Sequence, residues 1–309
     1  MLLRHGKVVL ATAAAVILLT ETSAWAWGPA THVNLACEVL GQLNLLPAAL
    51  AVLLRHRARD FIYGNIAADF VFAKKLSRIK QFCHHWATGY ALLEEAETDA
   101  GRAFAHGYLA HLAADTVAHN KFLPRQLTIT RTTHRFGHLY WEIRADCLVD
   151  VEYRAFLAHL LRDRFHDHED ALEASLTDTL LPFELNRRVF RRMNLTTTNR
   201  AWQGTMRRWH AWSRWDLDAD LVARYCTESV ERIVTLLAEG PSCPLLHEDP
   251  NGNAALGFAR HHRRQLRQMA RAGIIAPHVW DEVTAHHDPA PFGDIVLDAD
   301  ATPLHPQHI

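Results

Sequence analysis

Gly107-Tyr108-Leu109-Ala110-His111-Leu112-Ala113-Ala114-Asp115-Thr116-Val117-Ala118-His119-Asn120 is the most informative segment of this 309-residue chain. Alanine and leucine dominate it, and such residues lose little freedom in a helix. In that conformation His111 and Asp115 lie four residues apart on one face, about 6 Å along the axis, and can grip one ion together. His119 continues the stripe but sits two turns, about 12 Å, from His111, too far for the same coordination sphere unless the helix is broken. It more naturally serves a second ion, with Asp115 between the two. The alternative is a solvated polar stripe. The apolar residues around it point inward instead, and a buried imidazole beside a buried carboxylate asks for a cation.

Working outward, apolar residues recur at three- and four-residue spacing and strand signals are scarce, so the chain is expected to be all-α. The periodicity predicts helices over 30–42, 47–58, 86–120 with a break near Gly101, 138–163, 167–180, 218–238 and 253–272. Gly41, Pro47, Gly64, Pro124, Pro182, Gly240-Pro241 and Gly252 punctuate them. The stretch 191–216, rich in Trp and Arg, reads as a long irregular excursion. From Asp288 onward Pro, Asp and His without periodicity read as a loosely held tail, residues 288–309. No internal repeat and no Gly-rich phosphate loop is present, which removes P-loop and dinucleotide-binding readings.

The first 26 residues, basic at Arg4 to Lys7, apolar from Val8 to Leu19 and ending Ala24-Trp25-Ala26, have the layout of a secretory signal peptide. The apolar run is short of the roughly 20 residues a permanent span needs. Cleavage after Ala26 makes Trp27 the first residue of an exported helical domain, 27–287, secreted or periplasmic. The net charge of −1 gives no reason to expect nucleic acid as an obligatory partner. The 22 histidines are an unusual load, and imidazole is the commonest metal ligand. Five dispersed cysteines lack any CxxC spacing, so thiolate ligation is not expected; one or two disulfides are compatible with export.

Further candidate ligands lie on both sides. His138 and Glu142 repeat the i, i+4 chelate spacing and, with His119, would make three ligands with an open position. His134, one turn earlier, rivals His138, and a solvated helix face fits the same spacing. Gly64-Asn65-Ile66-Ala67-Ala68-Asp69 sets a carboxylate after a glycine turn. Gln81-Phe82-Cys83-His84-His85-Trp86 sets two imidazoles before a helix. Joined to His111 and Asp115, Asp69 and one of these histidines complete a mixed nitrogen and oxygen set that suits zinc better than calcium or magnesium. In Trp27-Gly28-Pro29-Ala30-Thr31-His32, a free α-amine and its own carbonyl form a five-membered chelate ring that His32 can join. His166, His168, His210, His261 and His262 are read as facing solvent.

A mature N-terminal Trp, then His, Asp, His, H-x-x-x-D, His and H-x-x-x-E, in that order, resembles the bacterial zinc-dependent phospholipase C family, related in fold and trinuclear zinc site to the S1/P1 nucleases. The resemblance runs from Trp27 to about Asp150. It implies a multi-helix phospholipase C-like domain with three zinc ions. One would be held by Asp69, His84, His111 and Asp115, and a second by His119, His138 and Glu142. The third would be held by the Trp27 amine and carbonyl with His32 and the bridging Asp115. Asp69 would also orient or deprotonate the attacking water. The implied substrate is a phospholipid or other phosphodiester, met in transient contact with a membrane surface by a monomer. Trp202, Trp209, Trp212 and Trp215 fit core packing better than lipid contact. A single-strand nuclease, a phosphomonoesterase, or an exported scaffold with structural zinc would share much of this pattern.

Overall fold

The computed structural model describes residues 27–70, 82–130, 137–163, 165–176, 183–197, 200–213, 215–275 and 287–309. Among them there are helices and short turns and no strand. The long element is α5, Asp99–Val117, which runs through a π-helical turn, Ala118–Phe122, into α6, Leu123–Ile129. From Gly107 to Val117 every residue of α5 is buried, the pattern of a helix surrounded by others rather than laid on a surface. Around it pack α1 (Pro29–Gly41), α3 (Ala58–Ala67), α4 (Trp86–Glu94) and α12 (Ala219–Glu239), with α2 (Ala48–His56) outside them. Two further pairs, α7 (Gly137–Asp146) with α8 (Val151–Leu160) and α10 (Phe183–Thr197) with α11 (Arg200–Trp212), flank this centre. Between the pairs runs α9, His166–Ser175, and α13, Asn253–Arg271, covers α6 and the π turn.

The helical expectation holds, and its boundaries move for local reasons. The break in the long helix precedes Gly101: Thr98 caps α5 by accepting from the Gly101 amide at 3.0 Å, as a side-chain cap should. The span 138–163 is two helices, α8 restarting at Val151 after Asp150. The stretch taken as irregular is the α10–α11 hairpin, and Phe183, Asn186, Phe190 and Asn194 bury one face of α10 at helical spacing. The tail is not loose. Leu304 donates its amide to Cys37 O at 3.0 Å, Gln42 exchanges two hydrogen bonds with Asp298, and the Phe292 amide donates to Glu231. The tail thus straps α12 to α1 by backbone bonds that carry no periodic signature.

Three smaller expectations change. No disulfide joins the five cysteines. His168 is buried, 2.7 Å from Asp60, rather than facing solvent; His166 and His261 are exposed, His262 is half-buried, and the His210 side chain lies outside the described residues. Trp212 is 84% exposed and Trp209 37%, so these two do not fill the core. The expectations for residues 1–26 and for His134 lie outside the described residues. Among the described residues no helix is long and apolar enough to cross a membrane.

Candidate metal centre

Two glycines set the geometry. A Cβ on Gly64 would stand 2.0 Å from Phe104 O, and one on Gly107 would stand 1.9 Å from Phe61 O. No side chain fits there, so α3 and α5 touch backbone to backbone and Asn65 is pressed against His111. Asn65 O accepts from His111 Nδ1 at 2.8 Å, and Asn65 Oδ1 lies 3.1 Å from His32 Nδ1. A carbonyl oxygen only accepts, so both imidazoles carry their proton on Nδ1 and turn an Nε2 lone pair inward.

Those lone pairs meet carboxylates. Asp115 Oδ1 lies 3.4 Å from His32 Nε2, and Asp115 Oδ2 lies 3.3 Å from Nε2 of both His84 and His111. Asp69 Oδ1 is 3.4 Å from His84 Nε2 and 4.0 Å from His111 Nε2, and the Nε2 atoms of His84 and His111 are 3.0 Å apart. All five residues are buried. The His32 and His111 rings stack at 3.9 Å. Burial lowers the pKa of His111, the neighbouring His32 adds to this, and Asp115 and Asp69 oppose it. Burial works to raise Asp115, but His111 and His119 outweigh it and hold the carboxyl well below its ordinary value.

These directions give an ionised Asp115 facing a neutral His111. The atoms that converge from His32, His111, Asp69 and Asp115 are acceptors, at distances that fit a shared cation and not direct hydrogen bonds. His32, Asp69 and His111, and likewise His84, His111 and Asp115, bring their ligand atoms within 4.8 Å of one another. The residues therefore fit a bound metal, and nitrogen with carboxylate oxygen is zinc's donor set. Of the two neighbours at this point, His84 is inside and His85 is exposed.

The π turn brings His119 to the same place. It supplies the break that a straight helix lacks, and such turns recur at functional sites. His119 Nδ1 donates to Pro250 O at 2.7 Å and stands 3.7 Å from Asp115 Oδ2. Its ring is 5.6 Å from that of His138, whose Nε2 is 3.3 Å from Glu142 Oε1. His138 is 17% exposed, against 0–4% for the other seven residues of both groups. The centre therefore meets solvent at α7.

The chain belongs to the zinc-dependent phospholipase C family. The match to that family covers residues 31–194, more than half of the chain. No significant similarity links it to a curated protein or to a solved structure. Membership carries a zinc-dependent hydrolase with a phospholipid substrate class, and the His and Asp groups described above fit zinc.

Several residues that hold this centre were not singled out in the sequence. Asn65 is one; it stood in the quoted segment before Asp69 with its spacing unexamined. Pro250, Asn251 and Gly252 lie beyond the family match. Besides the Pro250 bond to His119, Asn251 Nδ2 donates to His84 O at 2.9 Å. Gly252 has φ +58, and a Cβ there would stand 2.4 Å from His119 O, so only glycine lets this turn lie on the π segment. The Asp-Pro-Asn-Gly run is a turn signal, but nothing in it names its partner. Trp27 is fully buried, its indole stacked on Phe122 at 4.8 Å and donating to Ser229 Oγ at 3.2 Å. Asp146 accepts from the Thr31 amide at 2.8 Å and from its hydroxyl at 3.0 Å, which fixes the start of α1 one turn from Glu142.

Proposed function

We propose that the exported chain is a phospholipase C that hydrolyses the phosphodiester between diacylglycerol and the head group, using up to three zinc ions. Asp69, His84, His111 and Asp115 would hold one, His119, His138 and Glu142 a second, and His32 with Asp115 and the Trp27 amine and carbonyl a third. The third set needs cleavage after Ala26, since an α-amine can ligate only once its peptide bond is gone. The observation that carries the reading is the convergence on Asp115 of imidazoles from three stretches, His32, His84 and His111 with His119, beside Asp69.

When bound, zinc polarises phosphoryl oxygens and makes water a stronger acid near neutral pH. The chain's own groups do the rest. Asn65 and Pro250 hold His111 and His119 in the tautomers whose lone pairs face inward. Asp69 is the carboxylate placed to orient the attacking water and take its proton. Asp69 is buried, which strengthens each electrostatic contact it makes. No side-chain nucleophile is required.

The test uses zinc-loaded mature protein with metal content measured per chain. Phosphatidylcholine, single-stranded DNA and a phosphomonoester serve as separate substrates. Preferential release of phosphorylcholine with two or three zinc ions bound supports the reading. Preference for DNA or the monoester reassigns the substrate, and zinc binding without any turnover makes the metal structural.

A further inference from the structure

From Leu185 to Trp215 the chain carries eight arginines and no acidic residue, within a protein whose net charge is −1. This span holds all of α11 and all of α10 but Phe183 and Glu184, and Glu184 pairs with Arg187 and Arg188. On α10, Leu185, Arg188, Arg192 and Thr196 are exposed at helical spacing. On α11, Thr205, Arg208, Trp209 and Trp212 make a second exposed stripe at i, i+3, i+4 and i+7. Indoles are seldom left this bare in a monomer, and an indole 84% exposed protrudes from the surface instead of lining a groove.

The hairpin is braced on the two elements that flank the metal centre. Phe190 packs on Phe70, next to Asp69, with ring centroids 4.8 Å apart. Trp209 meets Tyr140 edge-on at 5.0 Å, and Tyr140 lies on α7 between His138 and Glu142. Ser213 bonds the Tyr140 hydroxyl and accepts from Arg144 at 3.1 Å, which locks the end of α11 to α7. The exposed stripe is thus tied to the helix at which the centre meets solvent.

We propose that the exposed face of α10 and α11 docks on an anionic phospholipid bilayer, with Arg188, Arg192 and Arg208 at the phosphates and Trp209 and Trp212 at the interface. Arginines and tryptophan are the residues that dwell there. The choice of lipid over single-stranded nucleic acid rests on the phospholipase reading and on the protruding indole, since bases stack on platforms set within a groove.

Partitioning of the full mature chain is measured by vesicle flotation in EDTA, so that no turnover is needed, with phosphatidylcholine vesicles that contain or lack phosphatidylglycerol. The expected result is binding that requires phosphatidylglycerol and weakens with salt. R188Q, R192Q and R208Q should each lower it roughly fivefold, the factor one cation near an anionic leaflet contributes, and W212S several-fold. Helix content and turnover of a water-soluble phosphodiester should stay at wild-type levels. Equal partitioning of wild type and variants, or no partitioning at all, overturns the proposal. Loss of single-stranded DNA binding in the same variants, with vesicle binding untouched, also overturns it. A protein that partitions as expected yet hydrolyses nothing supports the docking face while the hydrolase reading fails.

Discussion

Two buried clusters of imidazole and carboxylate share the helices α3 and α5, and they are built in opposite ways. At the first, Asp60 meets His168 at 2.7 Å, Glu169 accepts from the Tyr63 hydroxyl at 2.6 Å and from Arg187 at 2.8 Å, and the His168 ring stacks on Phe104 at 4.6 Å. Each polar contact named there pairs a donor with an acceptor at hydrogen-bonding distance. At the second, the imidazole-to-carboxylate spacings around Asp115 and Asp69 open to 3.3–4.0 Å and lone pairs face carboxylate oxygens. Identical residue types thus give a closed structural network in one place and a cation-binding centre in the other. What separates them is where each imidazole proton is held: the Nδ1 protons of His111 and His119 go to the backbone acceptors Asn65 O and Pro250 O, leaving the Nε2 atoms to the ion.

The strongest way to break this contrast is to remove one carboxylate from each cluster. D115A should lose bound zinc, measured by metal analysis, and should cut phosphodiester hydrolysis by more than the roughly 100-fold that loss of an outer partner can cost. D60N should keep its zinc. If D115A retains full metal content, the centre is misassigned. Next in size is N65A, which removes the Oδ1 partner of His32 and frees its tautomer while the backbone acceptor of His111 stays; zinc affinity, from competition with a chelator, should fall roughly 10–100-fold.

A smaller effect sharpens the closed side of the comparison. D60N forfeits a hydrogen bond from His168 to a charged group and should cost about 2 kcal/mol in denaturant unfolding, with turnover per zinc unchanged. The smallest concerns His106, also on α5, which burial lowers from 6.5 to about 4. Between those values the folded state binds fewer protons than the unfolded one, so stability is lost as pH falls from 6.5 toward 4. H106Q should remove that part of the slope, about 1 kcal/mol near pH 5.5 by linkage, as read from unfolding midpoints across that range.

How much was legible in the residues follows the same division. The i, i+4 pairs His111–Asp115 and His138–Glu142 were readable because helical periodicity places such residues on one face with no further information. The order of the ligands carried the family. The hairpin α10–α11 was missed because its Trp and Arg composition hides a regular period, and the exposure of Trp212 is a tertiary fact that composition does not encode. The tail looked loose because straps held by backbone hydrogen bonds leave no side-chain pattern.

By itself, then, the sequence determined that this is a helical chain rich in metal-binding side chains, arranged in a zinc phospholipase order, because turn-by-turn spacing is a local property. Only the tertiary structure decided that His84 and not His85 turns inward, that a π turn carries His119 to Asp115, and that a loop beyond the family match holds two of the histidines. Those outcomes depend on contacts such as Gly64 on Phe104 and Gly252 on His119, between residues whose separation along the chain gives no sign that their backbones will touch.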